Sequence, residues 1–272
     1  GVGASRGQGQ TLVMRRLKIA VFAYLPRFKR CEIERVRMRI AQIRREVLDD
    51  LSGAIFAFRA VVPRRHRCFV PGVSCHVTQR GNNRSPIFRA PTDYEVFVVI
   101  LRYAFEHLAV AIHAYALMTN HVHLIVTPET ATALPLAMQA VGRHYVQFFN
   151  RRYRRSGGLW EGRYRSALIH DERYWMTCMR YVELNPVRAG IVVTPEQHRW
   201  SSYAHHAFGK VDRVVTDHYL YLSLGPSPET RELAWRQMCG QRMTSEELER
   251  VRRSIRSGVL LAEPTSHEGA AN

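Results

Sequence analysis

Ile112-His113-Ala114-Tyr115-Ala116-Leu117-Met118-Thr119-Asn120-His121-Val122-His123-Leu124-Ile125-Val126 reads as two strands, Ile112 to Met118 and Val122 to Val126, joined tightly through Thr119-Asn120. The continuous apolar run Leu124-Ile125-Val126 predicts a buried central strand. Side chains two apart on a strand share a face and are rooted under about 7 Å apart. His121 and His123 can therefore converge on one divalent ion while Val122 points to the opposite face. Two hydrogen-bonded strand histidines would give the same pattern, and with 13 histidines in the chain a chance H-x-H is unsurprising.

Upstream, Val73 to Thr78 reads as a strand stopped by Gly81-Asn82-Asn83. A helix begins near Thr92 or Asp93 and carries Val96, Ile100, Tyr103 and Leu108. Downstream, a second helix covers about Leu134 to Tyr153, and Ser156-Gly157-Gly158 leads to a strand at Tyr164 to Ile169. Asp171 can then N-cap a third helix reaching about Asn185, where Pro186 ends it. Strand–helix–strand–strand–helix–strand is the split βαβ order. It predicts an α+β fold: a ferredoxin-like antiparallel sheet with helices on one face.

Residues 63–209 carry this pattern. Residues 1–62 read as a basic, partly helical N-terminal extension, with helical spacing from Arg30 to Leu51. The chain opens on Gly1, which is not expected to be the native start. Residues 210–272 read as a C-terminal helical extension, with a Thr244/Glu247 capping box opening a helix at Ser245 to Ser257. A disordered tail is expected from Glu263 on.

The chain holds 40 Lys+Arg against 23 Asp+Glu, a net charge of +17. That excess favours a polyanion partner, because neutralised phosphates release counterions. Nucleic acid is preferred over an acidic membrane surface. Only Lys18, Lys29 and Lys210 are lysines; arginine's planar fork suits phosphate, although a genome rich in arginine codons explains the bias equally simply. Five widely spaced cysteines without a C-x-x-C pair fit a reducing cytoplasm. No apolar run approaches the ~20 residues of a membrane span.

Tyr181 and Asn185 lie four apart, hence on one helical face. Tyrosines on such helices commonly serve packing, yet with the two histidines the pair makes a chemical unit. A phenol is a weak nucleophile at neutral pH. A metal bound by His121, His123 and the Asn185 carboxamide would polarise a scissile phosphate. Mixed nitrogen and oxygen donors suit Mg²⁺ or Mn²⁺. Arg143, Arg151, Arg152, Arg154 and Arg155, interleaved with Tyr145, Tyr153 and Trp160, could grip a strand through phosphates and stacking. Arg80, Arg163 and Arg165 are further DNA-contact candidates. Tyr145 and Tyr164 are alternative nucleophiles. His76 could approach the site or serve as a structural histidine. Adjacent His205 and His206 point different ways, so no site is built on them.

His121-Val122-His123 followed by Tyr181-Val182-Glu183-Leu184-Asn185-Pro186-Val187-Arg188-Ala189-Gly190 resembles the single-tyrosine HUH transposases, and more closely the REP-associated tyrosine transposases. His76-Val77-Thr78-Gln79-Arg80-Gly81-Asn82 and Leu159-Trp160-Glu161-Gly162-Arg163-Tyr164 share the likeness. The resemblance implies an HUH nuclease fold binding single-stranded DNA next to a hairpin. It implies Tyr181 attack giving a 5′-phosphotyrosine and a free 3′-OH, with strand rejoining. It maps His121 and His123 onto the metal pair and Asn185 where distant members carry Gln. A monomer or homodimer fits equally. The rival readings are a non-catalytic binder of single strands or hairpins and a phosphodiesterase that uses water.

Overall fold

The computed structural model describes residues 69–169 and 171–257. The expectations for residues 1–62 and for the tail from Glu263 lie outside the described residues.

The elements run β1 (Cys75–Arg80), α1 (Pro91–His107), β2 (Val110–Met118), β3 (His121–Pro128), α2 (Ala133–Arg152), β4 (Arg165–Leu168), α3 (Glu172–Glu183), α4 (Asn185–Arg188), α5 (Tyr203–Phe208), α6 (Tyr219–Leu222), α7 (Pro228–Gly240) and α8 (Ser245–Ser257). The strands form one antiparallel sheet in the order β2-β3-β1-β4. This is the α+β, ferredoxin-like fold that the element order predicts, with boundaries moved by at most two residues.

On one face, Val77, Val122, Leu124 and Val126 close with Phe97, Ile100, Leu101, Leu134, Val141 and Tyr145 of α1 and α2 into the larger core. Asp93, fully buried, accepts the Arg89 and Ala90 N–H groups at 2.7 and 3.0 Å and so caps α1. It also receives the Tyr153 hydroxyl at 2.6 Å, which ties the far end of α2 to the start of α1.

The expectation of helices on one face holds for α1 and α2 but not for the rest of the chain. Ala114, Ala116, Met118 and Ile125 turn to the opposite face, where α3, α5, α7 and α8 cover them through Trp175, Cys178, Tyr203, Trp235 and Val251. The cause lies in β2 and β3 themselves. Ile125 between Leu124 and Val126, and Ala114 and Ala116 among larger residues, leave apolar surface on both sides of the sheet. Residues after 209 therefore share a core with the sheet. Thr244 and Glu247 form the expected capping box, the Glu247 carboxylate accepting the Thr244 N–H at 2.7 Å and the Thr244 hydroxyl accepting the Glu247 N–H at 3.1 Å.

Residues 198–202 run along the outer edge of β2. The Leu117 N–H donates to the Trp200 carbonyl at 2.9 Å, and the Ser202 N–H to the Tyr115 carbonyl at 3.0 Å. This covers an edge that would otherwise offer unpaired backbone groups. Among the described residues no helix is long and apolar enough to cross a membrane.

Candidate active site

Strand register builds the site. Arg165 pairs with Thr78, Thr78 with His123, and His123 with Ala116, one transverse row across all four strands. Arg80 pairs with His121, and His121 with Met118, in the next row. Residues opposite one another across an antiparallel ladder share a face. Two rows thus bring the histidine pair and two arginines from distant sequence onto the face away from the α1/α2 core.

Asp171 caps α3 as expected, its carboxylate 2.8 Å from the Arg173 N–H. Tyr174, Trp175, Cys178, Met179 and Val182 dock that helix on the sheet. This leaves the half-buried Tyr181 ring 5.8 Å from the His123 ring and 5.9 Å from that of His76. Pro186 does not end the helical path as expected. The helix breaks at Leu184, and Asn185 and Pro186 open the short helix α4, because proline's fixed φ and missing N–H suit a first helical turn. Asn185 accordingly belongs to the next helix, yet it lines the same cleft as Tyr181, His121 and His123.

Both histidines of the pair have one ring nitrogen engaged. His121 Nδ1 lies 2.6 Å from Asn120 Oδ1. The Asn120 amide donates in turn to the Arg84 carbonyl at 2.9 Å, which fixes its orientation. His123 Nδ1 lies 3.0 Å from His76 Nε2. In the tautomer with the proton on each Nδ1, both Nε2 lone pairs would be free for a ligand, an arrangement typical of metal-binding imidazoles. Burial pushes His121 down to about 4, helped by Arg80. It lowers His76 to about 3, with Arg188 adding to the effect. Burial, the neighbouring histidines and two arginines hold His123 well below the ordinary value. Neutral imidazoles at physiological pH are the form that coordinates metal.

The cleft measures about 810 Å³ and is lined by Arg80, Arg84, Arg163, Arg165, Arg252 and Arg256 against a single acid, Glu161. Arg80, Arg163 and Arg165 are among the arginines that the sequence offers as DNA contacts. Arg252 and Arg256 come from α8, whose strong amphipathic pattern was legible but whose docking place was not. Arg188 was also missed. Its guanidinium sits 4.1 Å from the Tyr181 ring centroid and donates to the Tyr181 carbonyl. Seven residues, two helical turns, separate the two, which is the signal that could have placed Arg188 on the tyrosine's face. Burial lowers its guanidinium to about 10, still charged at neutral pH.

The remaining sequence candidates lie elsewhere. Arg143, Arg151, Arg152, Arg154 and Trp160 do not line the cleft. Arg152 is 3.2 Å from the buried Asp93 carboxylate, and Trp160 packs against the α1/α2 core, 6.1 Å from the Tyr145 ring. Tyr145 and Tyr164 are buried in that same core, with the Tyr145 hydroxyl donating to the Ile87 carbonyl at 2.5 Å. Neither can meet the histidine pair across the sheet.

Topology, register and cleft together define an α+β, ferredoxin-like domain with a tyrosine set over a histidine pair. Residues 69–185 match the family model described as transposase IS200 like. A search of curated proteins returned no match. Among solved structures, a REP-associated tyrosine transposase bound to a REP hairpin is similar at 19% identity and a TM-score of 0.43, covering 58% of this chain and 93% of that one.

Proposed function

We propose that this chain is an IS200-like transposase, a metal-dependent, single-strand DNA strand transferase acting next to hairpins, with Tyr181 as its nucleophile. The observation that carries the reading is the convergence of Tyr181, His121, His123 and Asn185 on one arginine-lined cleft. His121 Nε2, His123 Nε2 and the Asn185 carboxamide oxygen would hold Mg²⁺ or Mn²⁺. Such an ion supplies Lewis-acid polarisation of a phosphoryl oxygen.

The chain's own residues do the rest. Arg80, Arg163, Arg165, Arg252 and Arg256 draw the backbone in and orient it by charge-assisted hydrogen bonds. The Tyr181 oxygen attacks phosphorus and gives up its proton. The bond to the 3′ oxygen breaks, and that oxygen leaves as a 3′-OH. The 5′ end stays on the tyrosine as a phosphodiester until a 3′-OH attacks it and releases the phenol. Arg188, a fixed cation against the tyrosine ring, favours negative charge growing there.

Labelled single-stranded hairpin oligonucleotides from the DNA flanking the gene, incubated with Mg²⁺ or Mn²⁺ and run on a denaturing gel, test the reading. A metal-dependent covalent adduct is expected, lost in Tyr181→Phe and in His121→Ala/His123→Ala. Cleavage without adduct would support a phosphodiesterase that uses water. Binding with neither product would leave a hairpin binder.

A further inference from the structure

Outside the cleft, His205, His206 and Asp217 bring one potential ligand atom each within 4.8 Å of the others. We propose that these three residues form a second metal site, for a first-row divalent ion with Zn²⁺ the best match, that braces the helix carrying Tyr181.

The construction of His206 carries the proposal. Its ring is 1% exposed and is held from behind by Glu183, whose fully buried carboxylate lies 2.7 Å from His206 Nδ1. Glu183 is committed on other sides too. Its second oxygen accepts the Trp235 indole N–H at 2.8 Å, and the Ser202 hydroxyl donates to the first. A carboxylate so placed accepts a hydrogen bond from Nδ1–H, the tautomer that leaves Nε2 with its lone pair outward. That lone pair faces Asp217 Oδ1 at 3.7 Å. Two acceptors opposed beside a buried imidazole call for a cation or a second proton between them.

His205 supplies the third donor, its Nε2 3.0 Å from the same Asp217 oxygen. It is the looser of the histidines, with the Lys210 carbonyl at 3.3 Å and the Asp212 N–H at 3.4 Å both within reach of Nδ1. Ligands around a tetrahedral zinc ion at ~2.0–2.1 Å stand roughly 3.3 Å apart, and the two separations to Asp217 bracket that value. Two imidazoles, one carboxylate and a carboxylate behind one imidazole make up a familiar zinc-type donor set. Asp217 is 35% exposed at its side chain, which leaves a further position to solvent.

The site's location gives it a consequence. Glu183 lies two residues after Tyr181 on α3, the histidines are on α5, and Asp217 precedes α6. An ion here would link the tyrosine helix to the C-terminal helices without touching the DNA cleft.

The test uses the full chain, stripped by chelator, in the His121→Ala/His123→Ala background so that the strand pair takes up nothing. Titration with Zn²⁺ alone, followed by calorimetry and by melting temperature, should show a site filling at one ion per chain with a rise in melting temperature. Adding Asp217→Asn or His205→Ala, both at accessible positions, should weaken uptake at least tenfold and remove the thermal shift. Glu183→Gln should weaken it 10- to 100-fold. No uptake in the background chain, or uptake unchanged by Asp217→Asn and His205→Ala, overturns the proposal and leaves a proton shared among these groups.

Discussion

Strand β3 serves two different regions with alternate residues. Val122, Leu124 and Val126 enter a closed apolar core against α1 and α2. His121 and His123 face a cleft bounded by Tyr181 and six arginines. The first side is filled with aliphatic and aromatic side chains, with the few polar groups, such as the Tyr145 hydroxyl and Asp93, given partners. The second gathers neutral imidazoles and fixed cations, which gain nothing from one another and are held there by the rigidity of the first. Period-two alternation lets one strand supply stability and chemistry at once, and a single-residue register slip would exchange them.

The same chemical change made on each side exposes the contrast most sharply. Tyr181→Phe is expected to abolish the covalent DNA adduct completely while leaving the melting temperature nearly unchanged. Tyr145→Phe removes the hydroxyl that satisfies the buried Ile87 carbonyl, at a cost of about 1–3 kcal/mol, and the adduct should form normally per folded molecule. Gel capture beside urea unfolding reads both. Adduct formation that depended on Tyr145 and survived loss of Tyr181 would reverse the assignment of the two faces.

Neighbours on β3 give the next largest effect. Leu124→Ala leaves a cavity in the core and should cost about 2–5 kcal/mol. His121→Ala, at a partly buried position with one side-chain hydrogen bond to Asn120, should stay within about 1 kcal/mol and yet lose metal-dependent cleavage. Equal destabilisation by the two would mean that the histidine face is as much a core as the other.

Much of this was legible in the sequence because it rests on local periodicity. The element order along the chain, the Asp171 cap, the Thr244/Glu247 box and the shared face of His121 and His123 all follow from spacing of eight residues or fewer. What local spacing leaves open is which distant surface a segment meets. Arg152 reads as a DNA contact, and the fold sets it beside Asp93, 59 residues earlier. Arg252 and Arg256 look like part of a solvated helix until α8 is laid across β4. His205 and His206 point to different sides of a helix, but a long loop returns Asp217 to both. Pro186 was misjudged for a local reason, since it stops a helix from within and starts one equally well.

Arginines on the two sides should separate in a salt titration. Arg163→Ala or Arg165→Ala should weaken single-strand binding and lower the slope of log affinity against log salt by about 1 for each lost phosphate contact. Arg151→Ala and Arg154→Ala, away from the cleft, should leave that slope unchanged. Arg152→Ala should also leave it unchanged while costing about 1 kcal/mol or less, because the ion pair with Asp93 is partly solvent-screened on the arginine side. A slope change from the residues near the end of α2 would extend the DNA path around the β4 edge.

The smallest expected effect concerns the covered edge of β2, which belongs to neither face. His198 is buried, and its Nε2 lies 3.0 Å from the Leu117 carbonyl oxygen as its donor. Burial lowers its pKa from the ordinary value, an effect that this hydrogen bond only partly opposes. The unfolded chain therefore takes up the proton first as pH falls below about 6.5. Stability is full above that pH and declines below it, levelling off beneath the lowered folded value. His198→Gln keeps a donor for the Leu117 carbonyl and removes the titration. Urea unfolding at pH 7.5 and 5.5 should show a smaller acid loss in this variant. A residual slope will remain from His76, His121 and His123, which burial also lowers. An acid loss identical to that of the parent chain would show that residues 198–202 open at low pH before the sheet does, so that His198 is protonated in the folded state without cost.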